Sequence, residues 1–178
     1  MYPHIATAVL ISACIGSAFA QSGRPLPVPG ASAAKEVPHA GELPDRNTTY
    51  KVLFDAAKAA PKPDQPNPAL EAAARYVNTL DKWGVPEDRR KVAIIVHQAA
   101  GPIILRNDVY KDRNGHDNPN IALIQALQKA GVELHVCGQG LLANKVEPEM
   151  ILPGVQVDLW ALVSIVNFQT RGYVFLGN

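Results

Sequence analysis

Cysteine is nearly absent from this chain, and its two occurrences lie far apart. Cys14 falls inside an apolar amino-terminal stretch, and Cys137 ends the short run Val132-Glu133-Leu134-His135-Val136. Removal of the leader would leave one thiol without an intramolecular partner, which excludes a disulfide-stapled scaffold. Such a thiol is either buried and idle or reactive. A basic excess is also missing. Seventeen Lys and Arg stand against 16 Asp and Glu, a net charge of +1, and no basic patch is interleaved with aromatics. Non-specific binding to nucleic acid or to a membrane surface needs that excess and is not expected. After the leader, no apolar run is long enough for a membrane span. There is no internal repeat, no G-x-G-x-x-G fingerprint and no zinc-type spacing of His and Cys, so neither a cofactor nor a metal is expected.

The leader indicates a compartment. Ile5 to Ile15 is an apolar stretch of about 11 residues, within the ~7–15 typical of a secretory signal and too short to span a bilayer. Ala18-Phe19-Ala20 supplies the small-x-small pattern of a signal peptidase site. Residues 1–20 are therefore expected to be a signal peptide cleaved after Ala20, with a mature chain that starts at Gln21 and is periplasmic or secreted. No Lys or Arg precedes the apolar stretch, a departure from the usual pattern. Ile11-Ser12-Ala13-Cys14 offers a second route, as a lipobox that would make the protein a lipoprotein through Cys14. Residues 21–49, rich in Pro and Ala and poor in large apolar side chains, are expected to form a linker or a loosely attached arm. A single folded domain is expected over residues 50–178.

Within that domain, strands alternate with helices. Strands are expected at Tyr50 to Asp55, at Val92 to Val96, where a continuous apolar run marks a strand buried on both faces, at Val132 to Val136, at Val155 to Asp158 and at Tyr173 to Leu176. Asn67-Pro68 reads as a helix start, with Leu70, Ala73, Ala74, Val77 and Leu80 forming one inward stripe to a stop at Gly84. Asn118-Pro119 repeats the start, and Ile121, Ile124 and Leu127 the stripe. A short helix is expected over Ile103 to Tyr110, and a helical turn over Leu141 to Asn144. Trp160 to Thr170 is expected to be helical, although its apolarity leaves a strand open. It has few polar positions for a surface helix, which points to a subunit interface. The alternation predicts an α/β fold, a three-layer α/β/α sandwich around a mostly parallel five-stranded sheet.

Ligands of such sheets bind beyond the carboxyl ends of the strands. Three strands end in a reactive or polar residue: Asp55, His97 and Cys137. Together they offer a thiolate, an imidazole that handles protons and an orienting carboxylate. A polar residue at a strand end is also simply where the chain leaves the core, and no flanking motif supports a hydrolytic triad. Gly138-Gln139-Gly140 follows the cysteine, and free amides at the start of a short helix there would favour its thiolate form. A buried structural cysteine is the competing possibility. Gly138 and Gln139, with Asp55, are the candidate ligand-binding residues beside Cys137 and His97. His135 shares a strand face with Cys137 and is expected to be a packed or edge residue, and His116 to be solvated.

The segments Asn118-Pro119-Asn120, Ala130-Gly131-Val132 and Val136-Cys137-Gly138-Gln139, with Val96-His97 and Gly172-Tyr173, resemble the DsrE/DsrF-like family, in particular its exported single-domain members. The similarity spans Tyr50 to Leu176, and Cys-Gly-Gln is its most specific piece. The resemblance implies a five-stranded α/β/α fold assembled as a homotrimer or homohexamer. It also implies a persulfide on a cysteine at the position of Cys137, a His at the position of His97, and a sulfur donor or acceptor protein as partner. Sulfur-relay members of the family are cytoplasmic, whereas this chain is expected to be exported. Two functions are thus expected for an exported DsrE-like protein. One is a persulfide carrier or thiol-based sulfur relay; the other is a non-catalytic oligomeric module that binds a small ligand.

Overall fold

The computed structural model describes residues 24–177; the leader, its cleavage point after Ala20 and Cys14 lie outside the described residues. Strands β1 (Tyr50–Ala56), β2 (Arg90–Val96), β3 (Glu133–Cys137), β4 (Val155–Asp158) and β5 (Val174–Leu176) form one sheet in the order β4-β3-β2-β1-β5. Every neighbouring pair is parallel. Helices α1 (Pro68–Lys82), α2 (Asn107–Asn114), α3 (Ile121–Lys129), α4 (Gly138–Ala143) and α5 (Ala161–Thr170) lie between the strands.

The two-residue period of the strands sorts their side chains into two cores. Val52 and Phe54 of β1, Val92, Ile94 and Val96 of β2, and Leu134 and Val136 of β3 pack with the apolar stripes of α1 and α3. The alternate residues Leu53, Ala93, Ile95 and Cys137 face the other way and pack with Ala161 and Phe168 of α5. This is the expected three-layer sandwich, with the sheet wholly parallel among the described residues. β2, central and buried on both faces, is the strand whose sequence is an unbroken apolar run.

Local chemistry sets most boundaries. The Asn67 side chain accepts from the Ala69 amide at 3.0 Å and caps α1. Leu70, Ala73, Ala74, Val77 and Leu80 are all buried. Gly84 has φ +79°, the left-handed conformation that ends the helix at little cost.

Two expected elements are displaced. Instead of one helix over Ile103 to Tyr110, a 3-10 segment, Gln98–Ile104, precedes α2. Leu105 between them is drawn into a bridge with Ile151, and the Arg106 amide donates to Met150 O at 2.9 Å. Those backbone bonds hold Leu105 extended, with ψ 146°, and stop a continuous helix. Asn118 likewise does more than start a helix. Its Nδ2 donates to the carbonyls of Ile103 and Leu105, and its Oδ1 accepts from the Asn120 amide, so α3 begins only at Ile121.

The arm is the larger correction. Residues 24–36 are not loosely attached: they pack along α1. Val28 is wholly buried in the main core. Asn78, also buried, accepts from Val28 N at 2.9 Å and donates to Val28 O and Ala31 O, each at 2.9 Å. Thr79 Oγ1 accepts from Ala34 N, Lys82 Nζ donates to Ala34 O, and Arg89 donates to Asn47 O. Composition is blind to this anchoring because it is made by backbone groups and one valine rather than by many large side chains.

On α5, Ala161, Ser164 and Phe168 face the sheet and Ile165 packs beside them, while Leu162, Val163 and Val166 are exposed. Leu159 and Trp160, just before the helix, are exposed as well. No residue from Leu159 to Thr170 is charged. Among the described residues, no helix is long and apolar enough to cross a membrane.

Candidate functional site

β1, β2 and β3 end together, since Ala56 pairs with Val96 and Val96 with Val136. Asp55, His97 and Cys137 therefore sit at one edge of the sheet. Each also follows, by two residues, a side chain on the α5 face: Leu53, Ile95 and His135 respectively. His97 continues the sheet ladder by donating its amide to Ala56 O at 3.0 Å.

His97 Nε2 lies 2.6 Å from Asp55 Oδ1, with both side chains largely buried. In the neutral ring, a carboxylate that can only accept places the proton on Nε2 and leaves the lone pair on Nδ1. Asp55 thus orients the ring and selects its tautomer.

Cys137 is the free cysteine among the described residues and is 6 % exposed. Its Sγ accepts from the Ala161 amide at 3.4 Å. The donor is therefore the first residue of α5 and not the Gly138-Gln139-Gly140 amides that the sequence suggested. Cys137 faces the α5 layer, so the positive end of that ten-residue helix meets the sulfur.

Gly138 and Gln139 make this contact possible from behind. A Cβ on Gly138 would stand 2.7 Å from Asp158 O, so only glycine lets the β3–α4 junction approach the β4–α5 connection this closely. Gln139 Nε2 donates to Leu159 O at 3.3 Å and pins the same connection. Neither residue lines the cleft described next; both hold Ala161 in place. His135 works with them. Its Nδ1 is 3.1 Å from both Asp158 oxygens, and Ser164 Oγ donates to Asp158 Oδ2 at 2.6 Å. The His135 ring also meets Phe168 edge-on, with centroids 5.0 Å apart, so it is packed as expected and ties α5 to the sheet. His116, as expected, is exposed.

Beyond the strand ends a cleft of about 180 Å³ opens between the 3-10 segment, α4 and α2. His97 and Cys137 both line it, as do Gln98, Gly140, Asn144 and Arg113. Asp55 stands behind His97 and does not. Gln98 has φ +51°, a conformation that non-glycine residues seldom adopt and that costs on the order of 1–3 kcal/mol. Such strain at the residue after His97, in the wall of the cleft, is typical of functional positions. Arg113, an exposed residue that borders the cleft, makes long bonds to Asn144 O (3.4 Å) and Lys145 O (3.5 Å). Arg113, Asn144, Gln98 and Ala161 were not singled out from the sequence. Arg113 lies in a polar run that reads as solvated, and nothing local marks the others. Among the described residues no group of three or more His, Cys, Asp or Glu could hold a metal ion.

The family model described as DsrE/DsrF-like matches residues 47–176. A solved structure of a protein of unknown function from Methanobacterium thermoautotrophicum is similar to 72 % of this chain and 99 % of its own, with 19 % identity and a TM-score of 0.48. A comparison with curated proteins found no match.

Proposed function

Because the chain belongs to the DsrE/DsrF-like family, a family of sulfur-relay type, we propose that Cys137 handles sulfane sulfur, carrying it as a persulfide in the strand-end cleft. The observation that supports this most is the placement of one thiol beneath a helix-terminal amide, in a cleft shared with an Asp-oriented histidine. The step needs no outside oxidant. The Cys137 thiolate attacks the outer sulfur of a persulfide, a new S–S bond forms at Sγ, and the donor's S–S bond breaks. The donor leaves as a thiolate. His97 Nδ1 takes the thiol proton and returns it to that leaving group. We place this chemistry outside the cytoplasm, on the strength of the leader and the Ala18-Phe19-Ala20 sequence.

Intact-mass analysis of the mature protein after exposure to polysulfide tests the proposal. One added sulfur should be found on Cys137, removable by reductant and missing from Cys137→Ser. A folded protein that takes up none would sink it. The low exposure of Cys137 favours the second reading, a non-catalytic small-ligand module in which the cysteine only lines the cleft, and the same negative result would support it.

We further propose that the uncharged outer face of α5 is a subunit interface in a homotrimer or homohexamer. Leu162, Val163 and Val166 are exposed there next to Leu159 and Trp160, a contiguous apolar surface that a soluble monomer seldom presents. Light scattering should find an oligomer at micromolar concentration. Val166→Asp should convert it to a folded monomer, since a charge buried without a partner is costly. A wild-type monomer, or an unchanged oligomer in Val166→Asp, would place the interface elsewhere.

A further inference from the structure

The wall of the cleft has a marked chemical bias. Leu105, Leu141 and Val146 give it apolar lining, and the permanently charged residue that borders it is the exposed Arg113. No carboxylate lines it. Among the described residues, no Asp or Glu forms an ion pair with Arg113. Its partners are two backbone carbonyls at the long end of the hydrogen-bond range, 3.4 and 3.5 Å, so donor capacity is left over. A guanidinium held near an apolar cavity without a counter-charge suits an anionic head group.

Size narrows the class. At about 180 Å³ the cleft lies below the ~300–1,000 Å³ of pockets for drug-sized ligands. A molecule of a few heavy atoms fits, whereas a folded partner could present only the tip of one side chain. Cys137 and Arg113 line the same cleft, the arrangement that a ligand bridging them would need.

We infer that the sulfur donor read by this cleft is a small organic persulfide bearing one anionic group. That group is bound by Arg113 and the outer sulfur is presented to Cys137. The inference rests on the proposed sulfur chemistry for its last step, but its recognition step stands on the cleft alone. The transfer balances as Cys137 thiol plus donor persulfide giving Cys137 persulfide plus donor thiol, with no net oxidation. Arg113 neutralises the anion that would otherwise repel the attacking thiolate.

The test separates binding from transfer. Ligand-observed NMR on the mature Cys137→Ser protein would compare mercaptoacetate with its neutral analogue mercaptoacetamide. Mercaptoacetate should bind more tightly, and Arg113→Gln should weaken it by about tenfold, the scale of one lost charge-assisted contact, with the amide unaffected. Arg113→Lys should keep most of the preference. Equal binding of the two compounds, binding of neither at millimolar concentration, or indifference to Arg113→Gln would overturn the inference. In the second arm, protein with Cys137 intact is offered the persulfides of both compounds and its mass is followed. Faster loading from the anionic donor, lost in Arg113→Gln, is the expected result. Equal loading from both donors overturns the anion preference while leaving the sulfur reading intact. Loading from neither defeats the sulfur reading, and the binding arm still decides whether the cleft selects an anion.

Discussion

Deletion of residues 24–49 is expected to lower the melting temperature by about 10 °C or more. Two losses combine. Val28, wholly buried against the main core, contributes about 1.5–3 kcal/mol by leaving water. Asn78 exchanges its three bonds to Val28 and Ala31 for bonds to water, at roughly 0.5–1.5 kcal/mol each. The exposed ion pair of Arg24 with Asp81 adds little, since the guanidinium is mostly in water. Together the first two amount to about 3 kcal/mol or more, and each kcal/mol is worth a few degrees in a domain of this size. Scanning calorimetry on the mature and truncated proteins reads the shift. Asn78→Ala in the full-length mature chain should show a smaller part of the same loss. An unchanged melting temperature on truncation would mean that the arm does not occupy its place on α1 in solution. The arm lies almost wholly before residue 47, where the family match begins.

Asp55→Asn is expected to slow the loading of Cys137 with sulfur by about a hundredfold or more, within the ~10²–10⁴ span of acid–base contributions. The carboxylate accepts from His97 Nε2 at 2.6 Å and so keeps the proton on that nitrogen. An asparagine amide can instead donate to Nε2, which would move the proton to Nδ1 and remove the lone pair assigned to the thiol proton. The substitution is nearly isosteric at a site that is largely but not wholly buried, so the fold should survive, and thermal melting provides the control. Rates would be taken from quenched samples by intact mass, with polysulfide as donor. Loading at the wild-type rate in a folded Asp55→Asn protein would show that Cys137 reacts without His97 as its proton acceptor.

Much of the architecture could be read from local sequence. Val155 to Asp158 is a strand with the bounds its alternation implies, α1 starts beside the Asn67-Pro68 pair, and β2 follows from one unbroken apolar run. These signals are legible because they depend on neighbours within one or two turns: a cap, a stripe, a two-residue period. The family could be read for a related reason, since its Cys-Gly-Gln segment is contiguous and the strand endings Asp55, His97 and Cys137 follow from strand order once the sheet is parallel.

What joins those segments was decided by the tertiary structure. Ala161, the amide that meets the Cys137 sulfur, is 24 residues away from it, and it reaches the sulfur only because Gly138 leaves room for the Asp158 carbonyl. Arg113 borders the cleft because Leu105 and Arg106 pair with residues near 150 and break what would have been one helix. Asn78 binds the arm across 50 residues of sequence. In each case the deciding partner is a backbone group, and backbone groups are identical at every position, so composition and periodicity leave no trace of which one will be met. The sequence by itself therefore determined the layers, the strand ends and the family. Only the folded chain decided which amide faces the thiol, which cation borders the cleft and whether the proline-rich arm is packed or free, because those depend on distances in space between groups that are far apart along the chain.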